Sequence, residues 1–158
     1  MRLIESCALL ALLCSYALAD FQPKLAASSN GKYYVSLDKA NFFQAFLNCR
    51  SAGLQLASIR SQKEEKDIEE AIKGANPGVT YLNGFWTSGT NLANIASSQY
   101  YWLSTGGMAI YTKWLAGEPN NQLNNEHCLE IFLGEDKKFV WNDSVCTVNY
   151  RYVCQDTI

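Results

Sequence analysis

Four cysteines constrain this chain more than any other feature, because its first residues mark it for an oxidising compartment. Arg2 supplies a positive start, Cys7 to Leu13 an apolar run, and Ala17-Leu18-Ala19 a small-x-small cleavage pattern. Together they read as an export signal over residues 1–19, with Glu5 an odd guest outside the apolar run. The run is too short for a membrane span, and nothing later approaches the ~20 apolar residues a span needs. Loss of the signal discards Cys7 and Cys14 and leaves Cys49, Cys128, Cys146 and Cys154, an even number where disulfides persist. Four cysteines allow three pairings, and spacing does not choose among them. A zinc site is the rival use, but no C-x-x-C occurs and His127 is the only histidine. The chain is expected to be secreted and extracellular.

Residues 20–158 suffice for one domain with a sizeable core, not two. Residues 20–31 are polar and small, a short lead, so the domain proper spans 32–158. The formal net charge of −2 survives signal removal because Arg2 and Glu5 cancel. No basic run or charge block points to nucleic acid or a membrane surface.

Periodicity places the elements. Lys32 to Ser36 reads as a first strand, and Asp38 as the N-cap of a helix running through Ala52, with Ala40, Phe43, Phe46, Leu47 and Arg50 at helical spacings. Leu54 to Ile59 alternates like a half-buried strand. Ser61-Gln62-Lys63-Glu64 is a capping box opening a second helix, which turns Ile68, Ala71 and Ile72 inward and stops at Gly74. Leu129 to Phe132 and Phe139 to Trp141 pair as a hairpin across 134–138, and Tyr150 to Cys154 closes the chain as a strand. Between them, residues 90–126 carry few periodic stretches, only Tyr100 to Leu103 and Tyr111 to Leu115. So long a loop inside one domain is unusual unless it is functional or restrained.

That loop ends in W-L-A-G-E-P-N-N-Q-L-N-N-E-H-C, and the hairpin then returns with F-V-W-N-D. Glu118, Asn120, Glu126, Asn142 and Asp143 thus place five oxygen-bearing side chains on either side of one apolar run. Carboxylates and carboxamides without thiolates are the ligand set of a hard cation. Calcium, with six to eight oxygens at flexible geometry, suits them better than magnesium. Pro119 matters too, because an X-Pro bond alone reaches cis at modest cost, and a cis turn directs Glu118 and Asn120 at one point. By itself Glu-Pro-Asn is an ordinary exposed turn; joined to Glu126 and Trp-Asn-Asp it is not.

Glu-Pro-Asn, then Glu-x-Cys, then Trp-Asn-Asp, then two more cysteines resembles the C-type lectin-like domain, with the short secreted insect lectins most similar. The resemblance runs from about Tyr33 to Cys154. It implies an α+β C-type lectin-like fold, two helices flanking antiparallel sheets with a long calcium-binding loop region. It also implies the disulfides Cys49–Cys154 and Cys128–Cys146, and one Ca2+ ion held by Glu118, Asn120, Glu126, Asn142 and Asp143, which also bind the sugar. The family's Glu-Pro-Asn accompanies mannose-type ligands, so the implied partners are glycans or glycoproteins of that type. Gln122 and Leu123 are the candidate walls of the sugar site. Residues Asn83 to Gly89 resemble the family's central W-I-G motif, with Thr87-Ser88 a departure from its apolar-glycine pairing. Asn121 and His127 stand where calcium-rich relatives carry Asp for an auxiliary ion, hence the expectation of a single ion.

Two other uses compete. Glu118, Glu126 and Asp143 could form a glycosidase pair, but that needs one carboxyl of raised pKa beside an ionised one, whereas a metal keeps all of them ionised. A calcium-independent domain binding a protein or another non-sugar ligand is the second alternative, against which the complete ligand set weighs. Asn142-Asp143-Ser144 is an N-glycosylation pattern, yet Asn142 cannot carry a glycan and also ligate calcium, so no N-glycan is expected. No heptad stalk precedes the domain to support an oligomer.

Overall fold

Leu25–Ala27 (β1), inside the segment read as a lead, pairs antiparallel with Tyr33–Ser36 (β2) and extends the sheet at its edge. The computed structural model describes residues 22–75 and 84–157; the expected export signal and Asn83 lie outside them. Helix α1 covers Phe42–Ser51, starting later than the reading from Asp38. Ala40 instead exchanges backbone hydrogen bonds with Tyr150, 2.8 and 3.0 Å, which forbids helix at that point. The Asn41 side chain becomes the cap, accepting from the Gln44 N–H at 2.9 Å. The buried face is therefore Phe42, Ala45 and Cys49, while Phe43 and Leu47 are 50% and 57% exposed.

Strand β3 is only Gln55–Leu56 because the next residues find other partners. Ala57 N–H donates to Val153 O, and Ser58 N–H to the Gln155 side chain, both at 2.8 Å. Residues 55–59 are all buried, so the expected alternation does not hold. Helix α2 spans Gln62–Gly74 with Ile68, Ala71 and Ile72 inward, as the pattern predicts. Ser61 accepts from Glu64 N–H at 3.2 Å, but Glu64 reaches one residue further back, to the Arg60 N–H at 2.7 Å and its guanidinium. Only half of the capping box forms.

Strand β4, Phe85–Thr90, is buried along its whole length. The Trp86 indole N–H lies between the carbonyls of Ala40 and Val148. Thr87 donates to Leu129 O at 3.2 Å and Ser88 pairs with Ser104, so both hydroxyls of the departing dipeptide are satisfied. Gly89 is required, since a Cβ there would come within 2.7 Å of the Leu129 Cβ. Tyr101–Trp102 (β5) pairs with β4. Cys128–Leu133 (β6) and Phe139–Ser144 (β7) form the hairpin, one to three residues longer at its ends than the periodicity indicates, and Arg151–Gln155 (β8) closes the chain.

The sheet order is β1-β2-β8-β4-β6-β7. It is mixed, because β4 and β8 run parallel while the other pairings are antiparallel. Both disulfides pair as the family resemblance implies, Cys49–Cys154 with Cα atoms 5.5 Å apart and Cys128–Cys146 with 5.2 Å. The first lies in a core with Phe42, Trp86 and Tyr152; a second core gathers Trp102, Trp141, Ile68 and Val153.

The long loop is held by its aromatics. Tyr111, Trp114 and Trp102 surround the buried Trp141 edge-on, with centroids 5.6–5.8 Å away. The stretch Tyr111 to Leu115 forms no strand beyond a single bridge from Trp114 to Trp141. A tether to α2 completes the restraint. Tyr111 donates to buried Glu65 at 2.6 Å, and Lys113 Nζ lies 2.5 Å from the same carboxylate.

Candidate functional site

Asp143 is the hub of the site. It sits in β7 opposite Leu129 and is fully buried. A buried carboxylate must be paired or hydrogen-bonded. Its Oδ1 accepts from the Asn120 N–H at 3.0 Å and its Oδ2 from the Asn121 N–H at 2.8 Å, with the Tyr100 hydroxyl at 3.4 Å. These bonds fasten the loop after Pro119 onto the end of β7. The Glu118–Pro119 bond is cis, the geometry suspected from the sequence, and Glu118 folds back over Asn120. Its two oxygens accept from the Asn120 backbone N–H at 3.0 Å and side-chain amide at 2.9 Å. One N–H is thus shared between Glu118 and Asp143, residues 25 positions apart in the sequence.

Glu126 closes the other end of the loop. Its Oε2 accepts from Gln122 N–H at 3.0 Å while its own N–H donates to the Asn121 side chain at 3.1 Å. The Cys128–Cys146 bond anchors β6 just after it. Asn142 lies across from Glu130 in the β6–β7 register and donates its Nδ2 to Glu130 Oε1 at 3.0 Å. One of the two N–H groups of that amide is therefore engaged.

The charges respond to this crowding. Glu118 is pushed above the usual carboxylate range by burial and by the Asp143 carboxylate, with Glu126 adding to it and the Asn120 N–H opposing. Glu126 is raised by burial, with Asp143 contributing. Glu130 is pushed up to about 7 by burial, against the pull of its Asn142 hydrogen bond. Burial, and then Asp143, Glu126 and Glu118, also lift the Tyr100 hydroxyl. Nearby like charges disfavour ionisation, and a cation among them would reverse the effect.

The expected ligands thus come together unequally. Glu118, Asn120 and Asp143 are in hydrogen-bonded contact, Glu126 faces them electrostatically, and Asn142 is turned by Glu130. Among the described residues, no three His, Cys, Asp or Glu side chains are gathered tightly enough to form a metal cluster by themselves. The donor set nevertheless fits calcium in kind, since every contributor is an oxygen and no basic side chain among the described residues offsets the crowding of Glu118 and Glu126. His127 is engaged elsewhere, its Nδ1 lying 3.0 Å from Asn91 Oδ1.

Three participants were not anticipated. Tyr100 reaches Asp143 from the long loop, and no local pattern announces it. The Asn121 side chain orients Glu126. Glu130 is buried against Gly84, where a Cβ would collide with its carboxylate. A lone acid within Leu129-Glu130-Ile131 was the available signal. Of the two candidate walls, Leu123 is 91% exposed, and it adopts a left-handed φ of 55° between Asn121 and Asn124, which do the same.

Comparison with known proteins agrees with this architecture. Residues 38–156 match the family described as Lectin C-type domain. C-type lectin 37Db of Drosophila melanogaster is 32% identical over 124 residues, covering 78% of this chain and 76% of that protein. Salivary C-type lectin 1 of Aedes albopictus is 30% identical over 118 residues, covering 73% and 76%. The C-type lectin domain of murine dendritic cell inhibitory receptor 2, solved in complex with N-glycan, superposes with a TM-score of 0.63 at 25% identity, covering 80% of this chain and 90% of that one.

Proposed function

We propose, since this chain belongs to the C-type lectin domain family, that it is a secreted lectin binding mannose-type glycans through one calcium ion. Domains of this family bind carbohydrate and are not enzymes, so the crowded carboxylates are read as ligands rather than as a hydrolytic pair. Export rests on the leader pattern of residues 1–19 and on the salivary lectin relatives. Among the described residues, no helix is long and apolar enough to cross a membrane.

The observation that carries the reading is the meeting of Glu118, Asn120 and Asp143 around a cis proline. Glu118, Asn120, Glu126, Asn142 and Asp143 would hold the ion, which supplies a positive centre for two neighbouring sugar hydroxyls. The residues set the pattern around those hydroxyls. Carboxylates of Glu118 and Glu126 accept hydrogen bonds, and amides of Asn120 and Asn142 donate them. Glu130 keeps the Asn142 amide oriented by holding its Nδ2, the kind of supporting contact that tunes metal ligands. Asn121 and His127 add no negative charge for a second ion.

Thermal unfolding with and without calcium tests the reading before any glycan is chosen. At 100 times its dissociation constant, a bound ion adds about 2.7 kcal/mol to stability, so Tm rises with calcium and falls back with chelator. The gain shrinks on acidification. Glu118 and Glu126 are raised in the ion-free fold, so that fold binds protons more tightly than the unfolded chain and loses stability as pH rises through the raised values. Calcium requires those groups ionised, and protons therefore compete with it. A Tm indifferent to calcium at neutral pH would overturn the calcium reading and favour a calcium-independent ligand.

A further inference from the structure

Five lysines that are scattered through the sequence meet at one cleft. Lys66 and Lys73 come from α2, Lys113 from the long loop, and Lys137 and Lys138 from the turn of the β6–β7 hairpin, enclosing about 310 Å³. They are five of the chain's 13 basic residues, brought together in a protein whose formal net charge is −2. The acids in the cleft are already committed. Glu65 takes Tyr111 and Lys113, while Glu69 lies 3.1 Å from Lys113 and 3.5 Å from Lys73. Lys138 pairs with Asp136 at the exposed turn, 3.1 Å away. Lys66 and Lys137, which come from different elements, have no ion-pair partner among the described residues.

The acids offset only part of this positive charge, since Lys66 and Lys137 are left without an ion pair among the described residues, and an anion in the cleft would neutralise the remainder. We infer that this cleft is a second, calcium-independent site that binds anionic carbohydrate, a glycan bearing sulfate esters or uronic carboxylates. The volume is at the small end for ligand sites and suits a short charged saccharide segment. All five cations are lysines, mobile point charges that follow anions spaced along a flexible chain, without the arginine fork suited to bidentate phosphate recognition. Lys138 lies four positions before Asn142, with three residues of β7 between them, about 13 Å at the rise of a strand. The two sites are therefore distinct, and one branched or mixed glycan could engage both.

The test is binding of dextran sulfate and of unsulfated dextran in chelator, across a salt titration, with the intact secreted chain. The wild type retains dextran sulfate and ignores dextran, with affinity falling steeply as salt rises. A Lys66→Gln/Lys137→Gln/Lys138→Gln variant loses roughly tenfold or more in affinity and flattens the salt slope. A control with the same charge change elsewhere, Lys24→Gln/Lys39→Gln/Arg50→Gln, stays within about twofold of wild type, as expected if screening weakens distant charges. Wild-type affinity in the cleft variant, an equal loss in the control, or equally tight binding of duplex DNA would each overturn the assignment. Chelator keeps this result separate from the calcium site, whose failure would leave it untouched.

Discussion

Replacing Cys49 and Cys154 together by alanine lowers the unfolding free energy by about 4–5 kcal/mol, the chain-entropy value for so long a loop. The bridge spans 105 positions and joins α1 to β8. Both cysteines are fully buried in the core containing Phe42, Trp86 and Tyr152. A domain of this size holds only about 5–15 kcal/mol in all, so the variant is expected to unfold partly at body temperature. The Cys128–Cys146 bridge closes a loop of only 18 positions, and removing it costs about 3 kcal/mol. Its larger consequence is local, because that bridge links the end of the Glu126 loop to the chain just beyond Asn142 and Asp143. Denaturant titration under non-reducing conditions checks both, and equal losses from the two pairs would contradict the assignment of the long bridge as the main staple.

Asp143→Asn abolishes calcium-dependent binding, with a loss of calcium affinity of ~100-fold or more, at or beyond the upper range for a supporting residue. The reason is visible in its hydrogen bonds. Two carboxylate oxygens serve the N–H groups of Asn120 and Asn121. An amide has one oxygen, so its NH₂ must face a buried donor, costing about 1–3 kcal/mol. Glu118→Gln is expected to cost sugar binding comparably but stability little, since the Glu118 carboxylate accepts from the exposed Asn120 and its replacement relieves the repulsion with Asp143. Calorimetric calcium titration of both variants, paired with denaturation, separates the two roles. Loss of stability in Glu118→Gln as large as in Asp143→Asn would show that Asp143 is not the hub.

The hairpin, the second helix and the closing strand were legible in the sequence because their apolar spacing is local and their turns contain clear breakers. The phase of α1 was not. Asp38 and Asn41 are both competent caps, and the choice is made by the Ala40–Tyr150 bridge, a contact between residues 110 positions apart. Strand β3 was overextended for the same reason, since Gln155 takes the Ser58 N–H. The disulfide pairing came from family resemblance and not from spacing. In the site, the five oxygen-bearing residues could be named from Glu-Pro-Asn, Glu-x-Cys and Trp-Asn-Asp. Tyr100 could not, because its contact with Asp143 exists only once the long loop folds back. The lysine cleft escaped for an equivalent reason. Only Lys137 and Lys138 are adjacent in the sequence, and the other three arrive through tertiary structure.

The most direct test of the calcium-lectin reading is retention on immobilised mannose with calcium, competed by free mannose or free galactose and repeated in chelator. The account predicts calcium-dependent retention released by mannose at clearly lower concentration than galactose, and no retention in chelator. It further predicts that Glu118→Gln with Asn120→Asp moves the preference toward galactose, because exchanging acid and amide exchanges acceptor and donor around the sugar hydroxyls. Retention that survives chelator, or release by galactose in preference to mannose from the unmodified protein, would contradict it.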